Sequence, residues 1–222
     1  LTLSRGYGME SVRQRAMSVA ETVSASLSEV VDDSTLELVV DLRLAFGRLL
    51  AALGANERAE KEHLDTAELS LSQGWTETAC AALALASHAA QARGDRASSG
   101  RAWHQCRDAM ESWPMNRPGE RCGILVDAVG DPLVAVQVLS ALAEVLVDGV
   151  EEDHSRAPII REIISRASEQ ASRCVSPPQG AVESLARVEE RVAPYGRGRG
   201  GRRRPGSTTT ITTDGQAAAG GK

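Results

Sequence analysis

The residues able to do chemistry in this chain are few and scattered. His104 and Cys106 stand two apart, with Cys122, Cys80 and His88 as further donors for a metal ion. A pair at i, i+2 on a helix points its side chains to different faces. Structural zinc sites use tighter paired spacing, so neither a metal nor a cofactor is expected. A Ser or Cys nucleophile would need a base such as His88, His104 or His154. No strand–turn–helix elbow surrounds a serine, and no Gly-rich phosphate loop precedes a helix. The His104/Cys106 neighbourhood is where a catalytic site would be sought, and the pattern there favours binding over catalysis. The carboxylate runs Asp32/Asp33, Glu151/Glu152/Asp153 and Glu189/Glu190 read as solvated loops or helix faces. None lies in an apolar setting that would raise its pKa.

Two groups of residues suit binding instead. Arg197, Arg199, Arg202, Arg203 and Arg204 are interleaved with glycine near the C-terminus. Arg/Gly segments neutralise phosphates without sequence preference, so this stretch suits contact with nucleic acid or another polyanion. Tyr195 could stack on a base. The acidic cluster 151–153 offers the same arginines an intramolecular alternative. Trp75 and Trp113 fall at helix ends, where an indole either covers a hairpin junction or anchors a partner. Trp103, in mid-helix, is expected in the core.

The composition states what must position these residues. Of 222 residues, 42% are hydrophobic and only 3% aromatic, with Phe46 the single Phe. The core must be built from Ala, Leu, Val and Ile. Ala and Leu favour helix, and alanine lets helices approach closely, so an all-α fold is expected. The net charge of −5 conceals an asymmetry: residues 194–222 carry +5 and residues 1–193 carry −10. Cys80, Cys106, Cys122 and Cys174 form no CxxC pair and read as buried helical thiols, which suits a reducing, cytoplasmic setting. Arg5, Glu10, Arg13 and Arg15 interrupt the first apolar positions, unlike a secretory leader. The stretch 132–147 is too short to span a bilayer, so no membrane contact is expected. Leu1 stands where an initiating Met would be, which suits an alternative start codon or the helical segment of a larger regulator.

Apolar periodicity sets out the elements. Met9, Val12, Ala16, Val19, Val23, Leu27 and Val30 mark an N-terminal helix over 9–31, with Asp33 or Ser34 capping the next. Further helices are expected at about 35–53, 57–72, 75–92, 96–112, 119–129, 132–147, 156–174 and 179–193. Gly54, Gly74, Gly94-Asp95 and Gly130-Asp131-Pro132 separate them, with Asn56 and Asp131 as N-caps. Residues 148–155 form an acidic loop. From Pro194 onward periodicity is lost, and low apolar content predicts disorder. The expected organisation is an N-terminal helix (1–34), a helical-repeat domain (35–193) and a tail (194–222).

The pairs pivoting on Gly54, Gly94 and Gly130 are spaced by 40 and 36 residues. Leu83, Ala86, Ser87 and Ala90 lie before the Gly94-Asp95 turn, and Trp103 follows it. Phe46-Gly47, Leu50, Gly54 and Ala59 repeat the arrangement, with His63 at the aromatic position. Cys122-Gly123, Val126, Gly130-Asp131, Ala135 and Leu139 repeat it again. Over about residues 36–147 this resembles the tetratricopeptide repeats, although that family's period is about 34. The resemblance implies stacked antiparallel helical hairpins, as a solenoid or an irregular bundle, that bind a protein or peptide in a groove lined by the first helix of each pair. A shorter stretch, Gly6-Tyr7-Gly8-Met9-Glu10-Ser11-Val12-Arg13-Gln14-Arg15-Ala16, resembles the ATP-lid segment of sensor histidine kinases. The upstream elements that such a nucleotide site needs are not in this chain, so no ATP binding is expected.

Overall fold

A computed structural model describes residues 35–196 continuously, with isolated positions between 11 and 25. Eight α-helices follow one another: α1 (Leu36–Ala52), α2 (Asn56–Ser72), α3 (Thr76–Ala92), α4 (Arg96–Glu111), α5 (Pro118–Val129), α6 (Pro132–Val147), α7 (Arg156–Ser172) and α8 (Gln179–Val192). A 3-10 turn, Ala193–Gly196, ends the described chain. Among the described residues there is no strand. The fold is all-α, with consecutive helices packed as adjacent pairs.

The first four helices keep a strict cadence. They begin at 36, 56, 76 and 96, twenty residues apart. The connections after α1, α2 and α3 are the same structure. Gly54, Gly74 and Gly94 adopt φ of 75°, 73° and 83°. The next residue donates back across the turn: Ala55 N–H to Leu50 O (2.9 Å), Trp75 N–H to Ser70 O (2.9 Å), Asp95 N–H to Ala90 O (3.0 Å). That left-handed closure satisfies the last carbonyls of the outgoing helix. Only Asp95 adds a side-chain cap, accepting from Ser98 N–H at 2.9 Å. Asn56, expected as a cap, is instead the first residue of α2; Ala55 precedes it, without a side-chain bond. Asp131 caps α6 as expected, accepting from Leu133 N–H at 2.8 Å. Asp33 and Ser34, most of the 9–31 segment and everything beyond Gly196 lie outside the described residues.

Helix α3 is the hub of the first half. Its sequence, TETACAALALASHAAQA, is buried at nearly every position. It touches α1, α2, α4, α5 and α6. A helix covered on all sides must be apolar or small all round, and alanine permits the close approach. Helix α6 is the second hub, touching α3, α4, α5, α7 and α8. Its Leu139 and Leu142 are fully buried, each stabilising the fold by about 2 kcal/mol. Cys80 of α3 and Cys106 of α4 meet in this core, each thiol directed at the other's backbone carbonyl.

Ion pairs, two of them on buried carboxylates, tie the helices together. Glu77 at the start of α3 pairs with Arg121 of α5. Glu60 of α2 pairs at 2.6 Å with Arg93, in the turn after α3. Glu144 of α6 receives Arg107 of α4 at 3.1 Å and Ser184 of α8. Arg48 of α1 donates to Ala128 O at 2.8 Å, covering open carbonyls at the end of α5. At Gly47, α1 crosses α2 so closely that a methyl group would lie 2.7 Å from Nδ1 of His63.

Candidate functional site

Helix α4 decides where the clefts fall. It buries only Ala102, Cys106, Ala109 and Met110, a single stripe against α3. Both flanks of α4 therefore stand clear, and a cleft runs along each. The larger, about 760 Å³, lies between α4, α6 and α8 with the end of α3 at its margin. The second, about 610 Å³, lies between α2 and α4 and includes the half-exposed Leu71.

The larger cleft is built from residues repeated at helical spacing. Ser99, Trp103 and Arg107 come from α4, Gln137, Ser140 and Glu144 from α6, and Gly180, Ala181 and Ser184 from α8. Small side chains on α4 and α8 hold it open: Gly100 and Gly180 have nothing within 4 Å of where a Cβ would stand. The hydroxyls are already engaged. Ser140 Oγ donates to Ala181 O at 3.1 Å, and Ser87 Oγ to Ser99 O at 3.0 Å. The carboxamides of Gln91 and Gln137 line the cleft with no partner among the described residues. Each amide offers two donors and an acceptor. Trp103 is half-buried against the core and forms part of the wall. The Arg107–Glu144 pair closes one end. This arrangement can bind an apolar group against the indole and pair polar backbone with the two amides.

The histidines and thiols do not converge. His104 is 79% exposed and lies 3.9 Å from Asp108, whereas Cys106 on the same helix is fully buried. The hydrogen bond to Cys80 and burial push the Cys106 thiol well above its usual range. Burial, reinforced by Glu162, pushes Cys122 up to about 12. Both are therefore protonated near neutral pH and poor nucleophiles. Cys174, expected in a helix, falls in the turn after α7. Among the described residues no three metal-binding side chains cluster, and no helix is long and apolar enough to cross a membrane.

The residues singled out from the sequence separate into three situations. Trp113 is 3% exposed, inside the main core. It has no surface to offer a partner. Trp75 is half-buried at the start of α3 and lines a third cleft of about 430 Å³, between α1 and α5. Arg197, Arg199, Arg202, Arg203 and Arg204 lie outside the described residues. The last described aromatic, Tyr195, stacks on His154 of the acidic loop, ring centroids 4.8 Å apart.

The third cleft is the one lined by first helices of the pairs, as the repeat resemblance implied; the two larger ones open on the even-numbered helices. Trp103, assigned to the core from sequence, packs against the core only in part and also stands in a cleft wall. Its fellow lining residues Gln91, Gln137 and Glu144 carried no sequence signal beyond being polar on otherwise apolar or alanine-rich helices. No family model matches the chain, and no curated protein or solved structure matches it either.

Proposed function

We propose that this chain is a non-catalytic protein-interaction module of tetratricopeptide-like hairpins, and that it holds an extended peptide segment of a partner in the cleft between α4, α6 and α8. The observation that carries this reading is the pair of unpartnered carboxamides, Gln91 and Gln137, in the same cleft as the half-buried Trp103. Amide side chains match the donor and acceptor pattern of a peptide backbone, and an indole supplies apolar contact at low entropy cost. A cytoplasmic setting and membership of a larger regulator accord with this role.

Selection of random peptides displayed on phage against the full chain tests it. Peptides should be enriched that bind the parent but not Gly100→Arg or Gly180→Arg, which fill the cleft from positions with open space around them. Failure to enrich any peptide, or enrichment of peptides that bind both plugged variants equally, refutes the reading.

A second reading rests on the Arg/Gly run at 197–204. Its five arginines suit a polyanion such as single-stranded nucleic acid.

A further inference from the structure

Helix α1 carries an apolar stripe that the described residues leave uncovered. Leu38, Leu42 and Leu49 are 60%, 41% and 42% exposed. Ala45 and Ala52 between and beyond them are exposed too. The spacing along 38, 42, 45, 49 and 52 alternates four and three, the repeat of a helix–helix seam. The stripe lies away from Val40, Leu44 and Gly47, which α1 buries in its own domain. One flank of the stripe, Val39 and Phe46, is buried. The other flank, Asp41 and Arg48, borders the open cleft shared with α5.

We infer that this stripe is a self-association surface, on which a second copy of the chain lays its own α1 antiparallel across a two-fold axis. The seam is self-complementary only in that sense. With the helices antiparallel, Leu38 meets the second copy's Leu49 and Leu42 meets its Ala45, and the same contacts recur by symmetry. That register sets Asp41 beside the second copy's Arg48, and Arg48 beside its Asp41, giving two opposite-charge contacts on the accessible flank. A parallel pairing would set Asp41 against the flank of Phe46, which is buried, and gain no charge contact. Arg48 is held at the rim by its bonds to Ala128 O and Asp127 O, at 2.8 and 3.3 Å, so its charge is positioned before association. Asp41 has no partner among the described residues. The contact is short: four layers along a 17-residue helix. It is smaller than the roughly 1,200 Å² at which specific interfaces become stable, so the dimer is weak and reversible.

Sedimentation velocity of the full chain at rising concentration tests this. The weight-average mass should climb towards twice that of the monomer between about 10 µM and about 1 mM, the range of a small interface. Leu42→Glu/Leu49→Glu should stay monomeric with an unchanged helical spectrum. Asp41→Arg, at an exposed site where folding is not at stake, should weaken the dimer about tenfold by facing Arg48 with a like charge. Leu42→Cys and Ala45→Cys chains mixed in equal parts and oxidised should give mainly the mixed disulfide. The inference is overturned by a chain that stays monomeric throughout, by self-association that survives the Glu or Asp41→Arg changes at equal strength, or by a predominance of Leu42→Cys homodimers. A monomeric full chain that Leu42→Glu/Leu49→Glu destabilises would assign the stripe to the chain's own residues 9–31, and this too overturns it.

Discussion

Lowering the pH should weaken this fold through a single histidine. His63 of α2 is 1% exposed, lies against Gly47 of α1, and leaves its Nδ1 without a partner among the described residues. Burial, aided by the charge of Arg48, holds its pKa down to about 4 against an ordinary 6.5. The folded chain therefore resists a proton that the unfolded chain accepts. Its stability is unaffected above the unfolded value, falls as pH drops below about 6.5, and the loss is complete near 4. The full loss is on the order of 3 kcal/mol, of which about 2 kcal/mol has already gone at about pH 5. Urea unfolding followed by tryptophan fluorescence measures it. For a slope of about 2 kcal/mol/M, the midpoint should fall by about 1 M between about pH 7.5 and about pH 5. Carboxylates also titrate in that interval, so the decisive quantity is the difference from His63→Leu, which keeps them all. The variant's midpoint should fall by about 1 M less than the parent's over the same interval. Parallel pH profiles in the two chains would refute the reasoning.

Three further outcomes can be checked. Gly100 lies inside α4 and Gly94 in a left-handed turn, both with open space at the Cβ position; Gly100→Ala should raise stability by about 0.5–1 kcal/mol and Gly94→Ala should lower it by about 1–2 kcal/mol, read from thermal or urea midpoints. Arg121→Ala strands the buried Glu77 carboxylate and should cost about 3 kcal/mol, whereas Glu77→Gln should cost less, because it leaves a neutral amide able to accept from Arg121. If the arginine run contacts nucleic acid, deletion of residues 197–222 should reduce the slope of log affinity for single-stranded RNA against log salt by about 3–4, read by filter binding; an unchanged slope removes that reading.

Helix limits were legible wherever a residue type has one physical use. Gly54, Gly74 and Gly94 end their helices because the left-handed turn costs glycine little, and Asp131-Pro132 opens α6 at the residue expected. Three things were not legible. Leucine lies on several sides of α1, and a 3.6-residue period does not say which of two apolar arcs meets the domain. The periodic set Leu36, Val39, Val40, Leu44, Phe46, Leu50 and Leu53 accounts for a helix over 35–53, and Leu38, Leu42 and Leu49 fall outside it. The exchange between Trp103 and Trp113 arose likewise, since the depth of a tryptophan depends on which neighbouring helices reach it. The larger cleft beside α4 depends on α6 coming alongside α4 and on α8 coming alongside α6, contacts made across about forty residues of chain. A shared feature connects the cases: local rules fix where an element starts and stops, and burial is settled by elements distant in sequence.

The twenty-residue cadence of α1 to α4 bears on how the domain comes apart. Contacts in that half join mainly consecutive helices, so little chain entropy is spent closing long loops, and helix pairs can form early in folding. Helix α1 leans chiefly on α2, with a slighter hold on α3 and α5, whereas α3 is gripped from five sides. Opening should therefore begin at the α1–α2 end and halt at α3, so that amide hydrogens of α1 exchange with solvent long before those of α3 and α6. A chain built this way gives up its first hairpin without losing its second.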